Sequence, residues 1–193
     1  MSRADKVSDA TGLEKIILTL RYHEQSRQWF AVVFVLLVSL LGSYEPTLFI
    51  VGGAIAAFGE LIRMWASGYV MKNKELATTG PYAYVRHPLY VGNILLLVGF
   101  SIASTQWWSF VLMAALLAFY YPPTISYEDN KLRAIFGAEW EEWSKNVNAL
   151  IPTFGSKAGS VKSAWSFKKS LMQNAEPVIV VYLIGCLYLL YTN

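Results

Sequence analysis

Charge is scarce in this chain of 193 residues, where Asp, Glu, Lys and Arg together make up 15% against about 25% in soluble domains. Beside a hydrophobic share of 55%, that shortage argues against an ordinary soluble domain. Cysteine is nearly absent. Cys186 stands alone in an apolar stretch, which excludes an internal disulfide and a cysteine-based metal centre. The 2 histidines lie far apart in sequence, so a metal site of any kind is the weaker reading. The composition also excludes a disordered, collagenous or disulfide-stapled chain.

What is present instead is a set of long runs without charge. Residues 29 to 44 carry none, and residues 46 to 66 carry only Glu60 and Arg63 near one end. From His87 to Tyr127 there is no Asp, Glu, Lys or Arg, a length sufficient for two membrane helices of about 20 residues each. Ser104, Thr105 and Gln106 divide them. A last apolar run, Pro177 to Tyr191, is the fifth candidate. The sequence therefore predicts an all-α integral membrane bundle of about five transmembrane helices.

Basic residues set the expected orientation. Arg3, Lys6, Lys15, Arg21 and Arg27 precede the first run, Arg63, Lys72, Lys74 and Arg86 surround the second loop, and the remainder lie between residues 122 and 176. The opposite turns and the C-terminus have none, so the positive-inside rule places the N-terminus and both large loops in the cytoplasm and the C-terminus outside. No cleavable signal is expected. Residues 13 to 28 read as an amphipathic helix on the cytoplasmic interface. The chain divides into 1–28, the hairpin 29–66, the core 67–152, a basic linker 153–176 and the last helix 177–193. The linker mixes Lys157, Lys162, Lys168 and Lys169 with Trp165, Phe167, Leu171 and Met172, which suits an anionic lipid surface or a plain connection.

Chemistry belongs in the two cytoplasmic segments. In the first, Gly80-Pro81 signals a turn, and Pro88 fits the first turn of the third membrane helix, where its missing N–H leaves nothing unsatisfied. Arg86 and His87 then stand at a helix N-terminus, where exposed N–H groups and the dipole favour an anion that Arg86 could hold bidentately. Arg86 with Tyr82, Tyr84 and Tyr90 equally suits a headgroup anchor. In the second segment, which begins at Pro122-Pro123 after the fourth span, Leu132, Phe136, Trp140, Trp143 and Val147 share one helical face, weakened by Gly137. Glu128 and Asp129 stand where the chain leaves the bilayer, as solvated helix residues or as ligands for a cation. Glu60 and Arg63 match an i,i+3 ion pair, although an intramembrane carboxylate is also a site hypothesis.

The string Gly80-Pro81-Tyr82, Arg86-His87-Pro88-x-Tyr90-x-Gly92, a charge-free hairpin, and Glu128-Asp129 before Phe136-Gly137 resembles the isoprenylcysteine carboxyl methyltransferase and phospholipid methyltransferase superfamily. Arg63-x-Trp65-Ala66-x-Gly68 with Lys72-Asn73-x-Glu75-Leu76 is similar to its small prokaryotic members, and the resemblance covers about residues 59 to 152. It implies a membrane enzyme that moves a methyl group from S-adenosylmethionine to a lipophilic acceptor within the bilayer. No nucleic acid and no obligate protein partner is implied. The soluble methyltransferase fold is not expected, since the chain has no Gly-x-Gly-x-x-Gly turn.

Carried over by residue, the resemblance implies cofactor contacts at Lys74, Glu75, Leu76, Ala77, Tyr82, His87, Pro88, Leu89, Tyr90 and Glu128. The helix N-terminus at His87 suits the cofactor's carboxylate and Glu128 its ammonium, while Tyr82 and Tyr90 can wall the adenosyl group and favour the sulfonium. Arg86, His87 and Glu128 are the expected catalytic group, and Thr124, Glu60 and Arg63 the expected acceptor residues. Carboxyl methyltransferases of this family have an arginine one helical turn before the glutamate. Here that position is Thr124, which moves the expectation toward a neutral or amine acceptor unless Arg63, Arg86 or Arg133 substitutes. A membrane NADPH-dependent reductase of the sterol reductase type and a non-catalytic membrane protein are the alternatives.

Overall fold

The computed structural model describes residues 11–22, 24–70, 75–154, 165–172 and 174–193. All regular structure among them is helical: α1 (Gly12–Tyr22), α2 (Glu24–Leu41), α3 (Pro46–Ser67), α4 (Pro88–Ala103), α5 (Trp107–Phe136), α6 (Ala138–Asn146), α7 (Phe167–Met172) and α8 (Glu176–Thr192), with a single 3-10 turn at Gly80–Ala83. Two helices, α3 and α5, are long and apolar enough to cross a membrane. Ser26–Leu41 of α2, α4 and α8 are apolar but shorter.

Local chemistry explains the starts. Glu45 caps α3 by accepting the Leu48 N–H at 2.6 Å, with Pro46 in the first turn. Pro88 opens α4 in the same way, as the sequence predicts. Two expectations are corrected. Residues 24–28, read as the end of an interfacial helix, belong to α2. The fourth span does not stop at Pro122-Pro123 either: α5 continues through both prolines for 30 residues. At 1.5 Å per residue that is about 45 Å, longer than the roughly 30 Å hydrocarbon core of a bilayer. Its last turns, with Glu128 and Asp129, extend past such a core. The break comes at Gly137, whose φ of 54° lies where a side chain is strained, and α6 follows.

Packing is tightest between α3 and α4. A Cβ on Gly99 would stand 2.5 Å from the Gly52 carbonyl oxygen, and one on Gly92 2.6 Å from that of Gly59. The two backbones touch through glycine, the small-residue contact by which apolar helices associate without a hydrophobic driving force. Around this pair, Phe34, Val35 and Val38 of α2, Ala56 of α3, Leu96, Leu97 and Phe100 of α4, and Cys186 of α8 form one core. The outer faces remain apolar, with Ile50, Val111 and Val181 each more than 60% exposed, a surface that suits lipid rather than water.

The bundle has two unlike ends. At one, the Ser43 N–H bonds the Ser104 carbonyl at 3.1 Å, and Asn193 Nδ2 reaches the Ser39 carbonyl at 2.9 Å. The charge-poor turns and the C-terminus therefore meet. At the other end lie residues 68–70 and 75–87, the end of α5, α6, and the start of α8. Trp143 and Val147, with Phe136 and Trp140, pack on Ala66, Leu76 and Tyr82 there, so the aromatic face read across Gly137 does bury itself against α3.

Candidate active site

The start of α4 gathers the motif residues. Arg86 and His87 donate their backbone N–H groups to the carbonyls of Asn148 and Ala149 at 2.8 and 3.0 Å, and Thr153 N–H bonds the Tyr84 carbonyl at 2.8 Å. This pairing fixes the entry into the helix. The His87 ring then stacks on Tyr90, one turn later, with centroids 5.4 Å apart and planes at 17°.

Around these rings stands a polar knot between α4 and α5. His87 Nε2 lies 3.0 Å from Asp129 Oδ1 and its Nδ1 3.5 Å from Glu128 Oε2, while the Tyr90 hydroxyl donates to Glu128 Oε1. His87 is 6% exposed. Burial alone would depress its pKa, but the hydrogen bonds and charges of Asp129 and Glu128 outweigh that and raise it. Both ring nitrogens thus face carboxylates, which shifts the balance toward the charged imidazolium. Tyr82 is pushed far up by burial and by the Glu128 charge, so its hydroxyl keeps its proton.

Arg86 is brought to the knot with both terminal nitrogens engaged, while its buried Nε meets no hydrogen-bond partner among the described residues. Nη2 pairs with Asp129 at 2.9 Å, and Nη1 donates to the carbonyls of Ser144 and Val147 at 3.2 and 2.9 Å. The guanidinium fastens the end of α6 to α5, contacts that the reading of Arg86 as an anion ligand or a headgroup anchor did not include. Leu76, Ala77, Tyr82 and Leu89 come together in the apolar cluster under Trp140 and Trp143, beside buried Pro88. Glu75 is exposed. Lys74, with Lys72 and Asn73, lies outside the described residues, as do Lys157 and Lys162 of the basic linker.

Two of the expected acceptor residues, Glu60 and Arg63, join a second polar cluster at the end of α3. Arg63 Nε meets Glu60 at 3.1 Å, the i,i+3 pair the spacing predicts, and its Nη2 meets Glu176 Oε2 at 2.9 Å. Its Nη1 donates to Asn93 Oδ1. Ser67 Oγ donates to Glu176 Oε1 at 2.8 Å. Glu176 is fully buried, and Glu60 Oε1 is buried without a hydrogen-bond partner among the described residues. This cluster ties the start of α8 to the end of α3. Thr124 is buried and turned back on its own helix, donating to the Tyr120 carbonyl at 2.7 Å. Arg133, on the exposed surface, pairs with Glu141 at 2.6 Å.

Sequence reasoning named no site role for Asn93, Glu176 or Arg27, and offered Asp129 only beside Glu128 as a solvated helix residue or a cation ligand. Asp129 was visible as Glu128's neighbour. Glu176 carried one signal, a lone carboxylate directly before an apolar run; its partner 113 residues away was not legible.

Comparison with known proteins places this geometry in a family. The phospholipid methyltransferase family model matches residues 47–139, from the first turn of α3 through Glu128 and Asp129 to the start of α6. The cobalt-zinc-cadmium resistance protein CzcN of Cupriavidus metallidurans is 28% identical over 86% of this chain and 80% of its own length. The nickel-cobalt-cadmium resistance protein NccN of Alcaligenes xylosoxydans xylosoxydans is 30% identical over 74% and 73%. A probable protein-S-isoprenylcysteine O-methyltransferase of Oryza sativa subsp. japonica is 28% identical over 72% and 71%. No solved structure matches. The chain belongs to the superfamily of phospholipid and isoprenylcysteine methyltransferases, membrane-associated enzymes that transfer methyl groups.

Proposed function

We propose that this chain is an S-adenosylmethionine-dependent methyltransferase acting on a lipophilic acceptor, held in the membrane by α2, α3, α4, α5 and α8 with its N-terminus and motif loops in the cytoplasm and its C-terminus outside. The observation that carries the reading is the knot of His87, Tyr90 and Glu128 where α4 begins and α5 extends past the apolar span. Apolar walls and an ionised carboxylate meet there, at the level where a water-soluble donor and a lipid acceptor can both arrive.

The residues fit the donor. S-adenosylmethionine, when bound, supplies a methyl group already activated by a sulfonium. Glu128 has a side chain 38% exposed, so its carboxylate has an open side for the ammonium of the methionine moiety. Leu76, Tyr82 and Leu89 offer the adenosyl group an apolar wall, and the Tyr90 face suits a sulfonium. The residues in this site thus bind, orient and exclude water, which is most of what in-line attack on an activated methyl requires. His87, drawn toward its charged form by two carboxylates, positions Glu128 rather than taking a proton. Arg86 acts one step further out, through Asp129.

Calorimetric titration of the detergent-solubilised protein with S-adenosylmethionine, S-adenosylhomocysteine and NADPH tests the assignment. The first two should bind and NADPH should not. Glu128→Gln removes a charge-assisted bond of about 1.5–3 kcal/mol, so affinity should fall roughly 10- to 150-fold. Unchanged binding in a folded Glu128→Gln protein, or a response to NADPH alone, refutes it.

A further inference from the structure

The arginines about this site differ in what their donors meet. Arg86 serves Asp129 and two carbonyls, Arg63 serves Glu60, Glu176 and Asn93, and Arg133 serves Glu141. Arg27, near the start of α2, is different. Its one hydrogen bond among the described residues runs from Nη1 to the Tyr90 hydroxyl at 2.8 Å, and no carboxylate there stands within ion-pair distance of it. A guanidinium carries five N–H donors in a rigid fork, so among the described residues most of the fork meets no partner.

Arg27 is nevertheless half-buried and held in place. Its guanidinium carbon sits 4.8 Å from the centroid of the Tyr90 ring. Phe30, one turn further along α2, packs on Tyr120 of α5 with centroids 5.7 Å apart. The same Tyr90 hydroxyl that accepts from Arg27 donates to Glu128, so the cation lies one hydroxyl away from the carboxylate without pairing with it. Tyr121 stands beside Tyr90 at 5.3 Å between centroids. A fixed, partly desolvated cation with free donors is costly unless an anion completes it.

We propose that Arg27 binds the anionic group of the lipid acceptor, a carboxylate or a phosphate, and holds the acceptor beside Tyr90 and Glu128. The proposal rests on the methyltransferase reading above and names the acceptor class it requires. The planar fork suits either anion bidentately, and α2 brings it from outside the segment that carries the motif.

The test uses the full chain in detergent, saturated with S-adenosylhomocysteine, and two pairs of probes: N-acetyl-S-farnesylcysteine against its methyl ester, and dodecyl phosphate against dodecanol. The wild type should bind at least one anion about 10-fold more tightly than its neutral partner, and the pair that responds separates carboxylate from phosphate. Arg27→Gln should bring that ratio close to one, and Arg27→Lys, which keeps charge but loses the fork, should leave it intermediate. If Arg27→Gln does not fold, Arg27→Lys decides by the same ratio. No discrimination by the wild type in either pair overturns the proposal, as does discrimination that survives in the variants. A variant that instead weakens S-adenosylhomocysteine itself more than about twofold assigns Arg27 to the donor and also overturns it. A wild type with no affinity for S-adenosylhomocysteine refutes the methyltransferase reading and the proposal together; affinity without anion discrimination refutes only the role of Arg27.

Discussion

Replacing Glu176 with alanine should destabilise the bundle far more than any exposed charge change while leaving the donor site intact. The Glu176 carboxylate is fully buried and joins Arg63 at 2.9 Å and Ser67 at 2.8 Å. Removing one partner of a buried ion pair leaves the other uncompensated and costs about 3–5 kcal/mol. Arg63 keeps Glu60 and Asn93, which places the expected loss toward the lower figure. For a chain of this size each kcal/mol shifts the melting temperature by about 2–4 °C, so Glu176→Ala should melt at least 6 °C lower. Thermal unfolding in detergent measures this, and a double-mutant cycle with Arg63→Met isolates the pair. No hydrogen bond or ion pair among the described residues joins the α3 and α8 latch to Glu128, so S-adenosylhomocysteine affinity below the transition should stay within about twofold. A loss under about 1 kcal/mol, no coupling in the cycle, or donor affinity that falls with stability would each show that Glu176 does not act as this latch.

Gly99→Val should force α3 and α4 apart, because its Cβ would begin 2.5 Å from the Gly52 carbonyl and 2.6 Å from the Ala56 nitrogen, both backbone atoms. Overpacking of this kind costs about 1–3 kcal/mol or more; an unchanged melting temperature would contradict the close contact. The raised pKa of His87 makes stability depend on pH in a defined direction. The charged imidazolium is favoured in the folded state, so its contribution is complete below about pH 6.5, the unfolded value, and is lost as pH rises through the higher folded value. The unfolding midpoint of the wild type should therefore fall over that window, and His87→Gln should flatten the profile. A wild-type midpoint that rises there would reverse the sign of the argument.

The agreement between sequence and structure is greatest where one segment contains its own explanation. The run from Pro46 to Ser67 is apolar, capped by Glu45 and opened by proline, and it forms the expected helix. Pro88 starts α4 and Glu60 meets Arg63 because three residues along a helix bring side chains together whatever surrounds them. The comparisons likewise match the stretch whose motif was legible, residues 47–139. Where segments compete, sequence was a poorer guide. Pro122-Pro123 looked like a boundary, yet α5 passes through, since tertiary packing can offset the loss of two N–H donors. Arg86 read as an anion ligand or a headgroup anchor because Asp129, Ser144 and Val147 lie 43 to 61 residues away.

Composition and periodicity alone determined that this chain is helical, apolar and amphipathic at its N-terminus, and which end of each helix carries charge. These properties follow from neighbours within a turn or two. Which cation meets which anion was decided only by the tertiary structure. The Arg63 to Glu176 contact spans 113 residues and Arg27 to Tyr90 spans 63, and such pairs exist only once glycine-lined helices have closed on one another. The candidate site is therefore written in a local motif, but the raised pKa of its histidine and the sparse pairing of Arg27 among the described residues belong to the assembled bundle.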